Sequence, residues 1–144
     1  MKNNYLKNLS AFSMAIILLI SSNSFGNTRI GENEKLMSKN NIKSYVMGLK
    51  SSNAGLVKSC IHYAGLYKIT ETIEPLVDIL NDSSKDFTTR VSAAMSIYNI
   101  GNDKGMASIK NFSESSKEEK IKEVCSAIYQ DYLDTQKNFL STNP

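Results

Sequence analysis

The sequence predicts an all-α protein, a short α-solenoid of about six helices that follows a cleaved N-terminal signal segment. Apolar residues recur at helical spacing through the last two thirds of the chain, and this pattern repeats at a nearly constant interval. The start of the chain has the layout of a secretory signal. We therefore divide the 144 residues into a signal peptide (1–26), a flexible segment (27–39), a helical domain (40–136) and a disordered tail (137–144).

The signal peptide is predicted from charge, an apolar run and small residues, in that order. Lys2 and Lys7 precede the apolar run 11–20, and Ser24 and Gly26 have the spacing of a cleavage site. The apolar run is shorter than the roughly 20 residues that a membrane span needs. We expect an exported protein, periplasmic or secreted, with no stable membrane anchor after cleavage.

The charge balance of the predicted mature chain argues against a nucleic-acid partner. Removing Lys2 and Lys7 from the 17 basic residues leaves 15, against 14 acidic residues, so the net charge is near +1. A nucleic-acid-binding domain is expected to carry a larger basic excess.

Three valines begin the repeated pattern. Val57, Val91 and Val124 are 34 and 33 positions apart, and apolar or small residues follow each at the offsets of one helix face. The predicted core positions are Cys60, Ile61 and Ala64 in the first copy, Ala94, Met95 and Tyr98 in the second, and Ala127, Ile128 and Tyr132 in the third.

A second helix is predicted after each of the first two copies. Ile73, Leu76, Val77 and Leu80 have offsets 0, 3, 4 and 7, and Met106 and Ile109 begin a weaker copy. An earlier copy at 42–49 is predicted to be a lone helix at the start of the stack. A single hairpin of short helices cannot bury its apolar stripes, whereas stacked hairpins can. The predicted order is a lone helix, two hairpins and a closing helix.

Local signals place the ends of two helices. Asn53 is a suitable N-cap for a helix over 54–68, and Asp86 is one for a helix over 87–100. Gly101 is predicted to end the second of these in a left-handed conformation.

The last long helix is predicted over 117–136, with Ser116 and Glu119 forming a capping box and the following residues frayed. Gly65 lies inside an earlier helix, where glycine lowers stability by up to about 1 kcal/mol. We expect it to mark close packing against a neighbouring helix.

The stretch TRVSAAMSIYNIGNDKGMASIKNF, residues 89–112, resembles a HEAT-like repeat. The matching residues are Arg90, Val91, Ala93, Ala94, Ile100, Gly101 and Asn102. The copy at 57–82 is similar but looser, and the resemblance covers 42–133. It implies an α-solenoid, of the kind found in small exported bacterial proteins, that presents surface to a protein partner. It implies no catalytic residue, because the matching positions are packing positions.

Few residues suggest chemistry. His62, the single histidine, is expected at the surface, with no second histidine to share a metal. Cys60 and Cys125 lie two repeats apart, about 20 Å if helices stack at about 10 Å, whereas a disulfide needs Cα atoms within roughly 7 Å. We expect buried free thiols. Tyr63 and Tyr67 are four residues apart; one exposed ridge is an alternative, but we favour core or half-buried packing.

An acidic cluster follows the first hairpin turn. Its members are Glu71, Glu74, Asp78 and Asp82, and they lack the ladder and turn glycine of a calcium loop. We predict solvated surface, with no metal and no cofactor.

The second helices of such a stack line its concave face, which would place Glu74 and Asp78 beside Lys104 and Asn111. This mixed polar groove is the predicted contact for a protein partner of unknown identity. The sequence thus favours a non-catalytic interaction module, an adaptor or scaffold of the bacterial cell envelope. The alternative is a structural subunit of an envelope complex that is stable mainly with its partner. A HEAT-like lyase-type enzyme is a weaker alternative, since no catalytic residue set is present.

Overall fold

The computed structural model describes residues 39–142, which form six α-helices and no β-strand. The helices are α1 (Lys39–Leu49), α2 (Ala54–Leu66), α3 (Ile73–Asn81), α4 (Phe87–Ile100), α5 (Asp103–Ser115) and α6 (Glu119–Thr142), with a 3-10 turn (Thr70–Thr72) before α3. The prediction of an all-helical chain with about six helices is confirmed. The predicted signal peptide and the predicted flexible segment, apart from Lys39, lie outside the described residues. Among the helices described, none is long and apolar enough to span a bilayer.

Three predicted helix ends are confirmed by their local hydrogen bonds. The Asn53 Oδ1 atom accepts from the Leu56 N–H at 3.1 Å, and Asp86 Oδ1 accepts from the Thr89 N–H at 2.9 Å. Gly101 ends α4 with φ 68° and ψ 24°, the left-handed region that favours glycine. These signals are local, which is why the sequence alone identifies them.

Other predicted boundaries are wrong. Helix α2 ends at Leu66 instead of 68, and α6 continues to Thr142 instead of 136, because no glycine or proline interrupts it. The predicted capping box between Ser116 and Glu119 does not form: Ser116 Oγ accepts from the Glu118 N–H at 3.2 Å, and the Ser116 N–H donates to the Phe112 carbonyl. The backbone of Ser116 therefore still belongs to the end of α5.

The predicted core stripe is confirmed in α2 and shifted in α4. Val57, Cys60, Ile61 and Ala64 are all buried. In α4 the predicted positions Val91, Met95 and Tyr98 are only half-buried, while Arg90, Ala93, Ala94 and Ile97 are fully buried. Arg90, and not Val91, thus occupies the position equivalent to Val57.

The closing helix shows a similar shift. Ile121, Cys125 and Ile128 are buried, whereas Val124 is half-buried and Ala127 is exposed, contrary to the prediction for Ala127. The equivalent first positions are 57, 90 and 121, which are 33 and 31 residues apart. A similar pattern of buried positions thus recurs in the three helices, but the valines do not mark it.

Arg90 is buried with two of its guanidinium nitrogens hydrogen-bonded. Its Nε donates to the Leu80 carbonyl at 2.8 Å, and one terminal nitrogen lies 2.6 Å from a Glu118 carboxylate oxygen. The guanidinium carbon also lies 5.8 Å from the centre of the Phe112 ring. This one side chain therefore links the end of α3, helix α5 and the turn before α6.

The extensive helix contacts in the described region join helices that are adjacent or next but one along the chain. The even-numbered helices pack in the order α2, α4, α6, and the odd-numbered helices pack in the order α1, α3, α5. Consecutive pairs such as α1 with α2, α3 with α4 and α5 with α6 also pack. The buried apolar side chains lie between these helices and form one cluster.

Helices α2 and α4 approach closely at Gly65. A Cβ atom at this glycine would lie 3.0 Å from the Cα atom of Ser96. Nearby, the Ser96 hydroxyl donates to the Ile61 carbonyl at 2.7 Å. The expectation that Gly65 marks close packing against a neighbouring helix is confirmed.

Candidate interaction surface

Two of the four predicted partner-binding residues contact each other. Glu74 is the second residue of α3 and Lys104 the second residue of α5, and the Lys104 ammonium pairs with the Glu74 carboxylate. Their side chains are 72% and 68% exposed. The prediction that Glu74 lies beside Lys104 is confirmed, and the pair is on the solvent-facing side of the odd-numbered helices.

A missing side chain brings these first turns together. A Cβ atom at Gly105 would lie 2.9 Å from Ile73 Cδ1 and 2.7 Å from Ile97 Cγ2. Such distances are shorter than normal carbon–carbon contacts, so a methyl group at position 105 would force these two isoleucine side chains to shift. The start of α5 therefore packs directly against Ile73. Glu74, which follows Ile73, and Lys104, which precedes Gly105, are thereby close enough to form their ion pair.

The electrostatic environment of Glu74 is cationic. The hydrogen bond from Lys104 and the charge of Lys104 hold the pKa of Glu74 below its usual value, and Lys50 lowers it further. Lys50 immediately follows α1. The charges alternate from the end of α1 to the starts of α3 and α5, in the order Lys50, Glu74, Lys104.

The other two predicted residues, Asp78 and Asn111, are exposed on the same odd-numbered helices. No salt bridge joins Asp78 to another described residue. The backbone carbonyl of Asn111 accepts a hydrogen bond from the Ser115 hydroxyl at 2.7 Å, and the side-chain amide of Asn111 takes no part in that bond. The structure brings Glu74 and Lys104 together but shows no contact between Asp78 and Asn111.

The half-buried packing favoured for the two tyrosines at the end of α2 is confirmed. Tyr63 and Tyr67 are half-buried, and their rings stack with centroids 5.8 Å apart and an interplanar angle of 8°. His62 is exposed, as predicted, and meets the Tyr63 ring edge-on at 5.3 Å.

Both cysteines are free and buried, as predicted. Burial raises the pKa of the Cys125 thiol to about 12, and burial also raises the pKa of Cys60. A thiol with a raised pKa is a poor nucleophile near neutral pH. Among the residues from 39 to 142, no three His, Cys, Asp or Glu side chains are grouped so that they could hold a metal.

The sequence did not predict a notch beside the C-terminal half of α6. This open cavity, of about 580 Å³, is lined by the C-terminal ends of α2 and α4 and by Tyr132, Thr135 and Gln136 of α6. Two hydroxyls at its edge are bound to carboxylates: Tyr98 donates to Asp131 at 2.5 Å, and Tyr132 donates to Asp103 at 3.4 Å. No motif marks the notch because three separate helices form it.

Comparisons with known proteins give no relative from which a function can be transferred. No family model matches the chain, and searches of curated proteins and of solved structures also find no match.

Proposed function

We propose that the six helices form a short α-solenoid of HEAT-like hairpins, and that the protein is a non-catalytic protein-interaction module of the bacterial cell envelope. The packing of even-numbered helices with even and odd with odd supports the stack, since repeats in a solenoid contact mainly their neighbours. The signal-like layout of residues 1–26 supports export.

The ion pair between Glu74 and Lys104 is the observation that carries this proposal. It spans two odd-numbered helices on their exposed side, so α3 and α5 present one joined polar surface. Asp78 lies one helical turn beyond Glu74, and Asn111 lies two turns beyond Lys104. Charged and polar groups of this kind fix the register of a partner and steer its approach.

Site-specific photo-crosslinking in the native cell tests the surface. A photoreactive residue replaces Asp78 in one strain and Gln130, an exposed residue of α6, in a control strain. We expect a discrete crosslinked protein from position 78 and none from position 130. The same crosslinked band from both positions, or from neither, would contradict the proposed surface.

A charge swap separates local stability from recognition. The double variant Glu74→Lys, Lys104→Glu keeps the internal pair but exchanges its ends, whereas Glu119→Lys, Lys122→Glu does the same on α6. We expect the first swap to abolish the crosslink from position 78 and the second to leave it unchanged. Loss of the crosslink with both swaps would indicate a general charge effect.

Cell fractionation tests the proposed location. We expect the protein in the periplasmic or secreted fraction, with a mature N-terminus near Asn27. An uncleaved chain in the cytoplasmic fraction would contradict export and leave the fold unaffected.

The alternative, a structural subunit stable mainly with its partner, is favoured by the end of α6. Side chains from 134 to 139 are all exposed, and Phe139 remains 63% exposed. Most of the stability of a helix in a protein comes from tertiary packing, and these exposed residues have little of it within the described region. A melting temperature that rises with protein concentration would favour this alternative, and one independent of concentration would favour a free-standing adaptor.

A further inference from the structure

The first helical pair, α1 and α2, differs in charge from the rest of the described region. From 39 to 70 the sequence contains five lysines and no aspartate or glutamate. From 71 to 142 it contains 8 basic and 12 acidic residues, which gives a net charge of 8 − 12 = −4. An anionic surface therefore attracts the first pair and repels the remainder. Such an asymmetry along a chain is typical of a protein that approaches an anionic surface in one orientation.

The same pair carries much of the exposed apolar surface. Met47, Leu56 and Leu66 are 64%, 47% and 58% exposed, and they are three of the five large apolar side chains that are most exposed in the described region. On α2, Leu56, Ser59, Tyr63 and Leu66 follow helical spacing and form one outward stripe, in which Tyr63 is half-buried and the others are exposed. Packing within the described core does not explain the two leucines at the ends of this stripe.

The outward stripe of α1 alternates cations with an apolar residue. Lys43, Met47 and Lys50 have offsets 0, 4 and 7, and all three are exposed. Lys50 follows the last residue of α1, but its N–H donates to the Met47 carbonyl at 3.1 Å, so the turn continues to it. Lys58 of α2 lies elsewhere, since its ammonium is 3.5 Å from Asp86 at the start of α4.

The two stripes are neighbours. A Cβ atom at Gly48, next to Met47, would lie 3.8 Å from Leu56 Cγ. Further along, the Tyr45 and Tyr63 rings lie 6.4 Å apart. Helices α1 and α2 thus present one continuous surface that is cationic, apolar and aromatic. We call it the α1–α2 surface, and it consists of Lys43, Met47, Lys50, Leu56, Tyr63 and Leu66.

We propose that the α1–α2 surface binds peripherally to a membrane surface of anionic phospholipids. Lys43 and Lys50 would lie among the lipid phosphates, with their apolar stems directed along the protein. Met47 and Leu56 would enter the boundary between headgroups and acyl chains, and the amphipathic ring of Tyr63 prefers the same depth. The protein would lie on the bilayer without crossing it. This contact is separate from the surface around Glu74 and does not depend on the proposed adaptor role.

Charge and geometry favour a lipid surface over a protein as the occupant. A two-fold dimer through this surface would bring its lysines against their own copies, and like charges repel. Protein interfaces are depleted of charge where they are most apolar, whereas here lysines flank the exposed Met47 on its own stripe. A bilayer accommodates both kinds of side chain, because its anionic headgroups and its acyl chains lie at different depths.

A single tryptophan gives a local test, because the chain contains none. Met47→Trp places it on the α1–α2 surface, and Phe139→Trp is the matched control, since Met47 and Phe139 are 64% and 63% exposed. The probes are vesicles of phosphatidylcholine with about 30 mol% phosphatidylglycerol, and vesicles of phosphatidylcholine alone. With the anionic vesicles, we expect the emission of Met47→Trp to shift to shorter wavelength and to be quenched by brominated acyl chains.

The emission of Phe139→Trp should not change, and neither variant should respond to phosphatidylcholine alone. A retained signal segment would attach both variants to vesicles alike, so only a difference between positions 47 and 139 supports the proposal. Equal shifts at both positions, a shift without anionic lipid, or no shift at position 47 would overturn it.

A matched pair of lysine variants tests the charge. Lys43→Gln and Lys120→Gln change the net charge equally, and both lysines are exposed on helices. In titrations with the anionic vesicles, Lys43→Gln should weaken partitioning about fivefold, whereas Lys120→Gln should leave it unchanged. Raising the salt from about 0.1 to 1 M shortens the screening length from about 10 to 3 Å and should release most of the protein. Equal losses in the two variants would mean diffuse attraction and would overturn the site.

Other occupants give different results with Met47→Trp. A blue shift that grows with protein concentration in the absence of vesicles would mean that a second copy covers the surface. A shift with soluble polyglutamate and none with vesicles would mean an acidic protein. Either result would overturn the lipid proposal.

The two proposals also fail separately. If the crosslink from position 78 survives while position 47 does not respond to anionic vesicles, the interaction module remains and the lipid proposal is wrong. If the vesicles bind as expected but position 78 gives no crosslink, the surface around Glu74 is wrong and the α1–α2 surface remains.

Discussion

Gly48 in α1 is buried against Cys60 of α2, and this contact provides a sharp test of how α1 joins the other helices. A Cβ atom at Gly48 would lie 2.4 Å from Cys60 Sγ, far inside a normal contact. Its next neighbours would be Cys60 Cβ at 3.6 Å and Leu56 Cγ at 3.8 Å, both ordinary contacts. The sulfur atom is therefore the single obstacle to a methyl group at position 48.

The expected effects of Gly48→Ala follow from two opposing terms. Alanine favours a helix over glycine by about 1 kcal/mol, whereas overpacking a core costs about 1 to 3 kcal/mol, and a contact this short lies at the upper end. We expect a net loss of about 1 to 2 kcal/mol in the free energy of unfolding. In a Cys60→Ala background the obstacle is gone, and Gly48→Ala should stabilise by up to about 1 kcal/mol.

The measurement is a double-mutant cycle. Equilibrium urea unfolding of each variant is monitored by far-UV circular dichroism in the presence of a reducing agent. The coupling energy between positions 48 and 60 should be about 2 to 3 kcal/mol, with the two alanines more compatible together than separately. If Gly48→Ala costs the same in both backgrounds, or costs nothing in the wild-type chain, the described packing of α1 on α2 is incorrect.

Four further predictions concern the core and the helix ends. Gly65→Ala should cost about 2 to 3 kcal/mol in urea unfolding, and trimming the facing side chain of α4 should not rescue it, because a backbone Cα also lies at 3.0 Å; rescue would contradict this. Arg90→Ala should cost about 2 to 4 kcal/mol, since it removes a buried side chain and leaves its carbonyl partner without a donor; a cost below about 0.5 kcal/mol would mean that its hydrogen bonds contribute little. Asp86 accepts hydrogen bonds from Thr89 that lower its pKa, so its contribution to stability is present above its unfolded-state pKa and disappears as the pH falls through its folded-state pKa. The variant Asp86→Asn still provides an N-cap but cannot titrate, so the urea midpoint should fall less steeply at acid pH. An unchanged fall would refute this. Cys125, with a pKa of about 12, should react with a thiol reagent at pH 8 only after unfolding, and fast labelling of the native protein would contradict its burial.

Local interactions explain which parts of the fold the sequence predicts. The N-cap at Asp86 and the left-handed end at Gly101 depend on residues within four positions of each other, so both are predicted correctly. The helical periodicity of α2 is equally local, and its core stripe is correct. Where apolar side chains alone form the buried face, the pattern of the sequence is sufficient.

The register of α4 is predicted wrongly because its burial is decided by distant residues. Periodicity treats arginine as polar, so Val91 appears to be the equivalent of Val57. Arg90 is buried instead because Leu80, Phe112 and Glu118 satisfy its guanidinium, and these residues belong to other segments. A charged group enters a core only when partners compensate its desolvation, and no local pattern reveals such partners.

The candidate surface illustrates the same limit at one residue. The sequence identifies Glu74 and Lys104 as outward-facing on two different helices, because apolar neighbours fix the inward face of each helix. Whether the two side chains meet depends on how closely the helices approach. Gly105 contributes to this approach, since a methyl group there would collide with the Ile73 and Ile97 side chains. The ion pair is thus a consequence of a packing contact beneath it, so the polar surface and the core beneath α3 and α5 cannot vary independently.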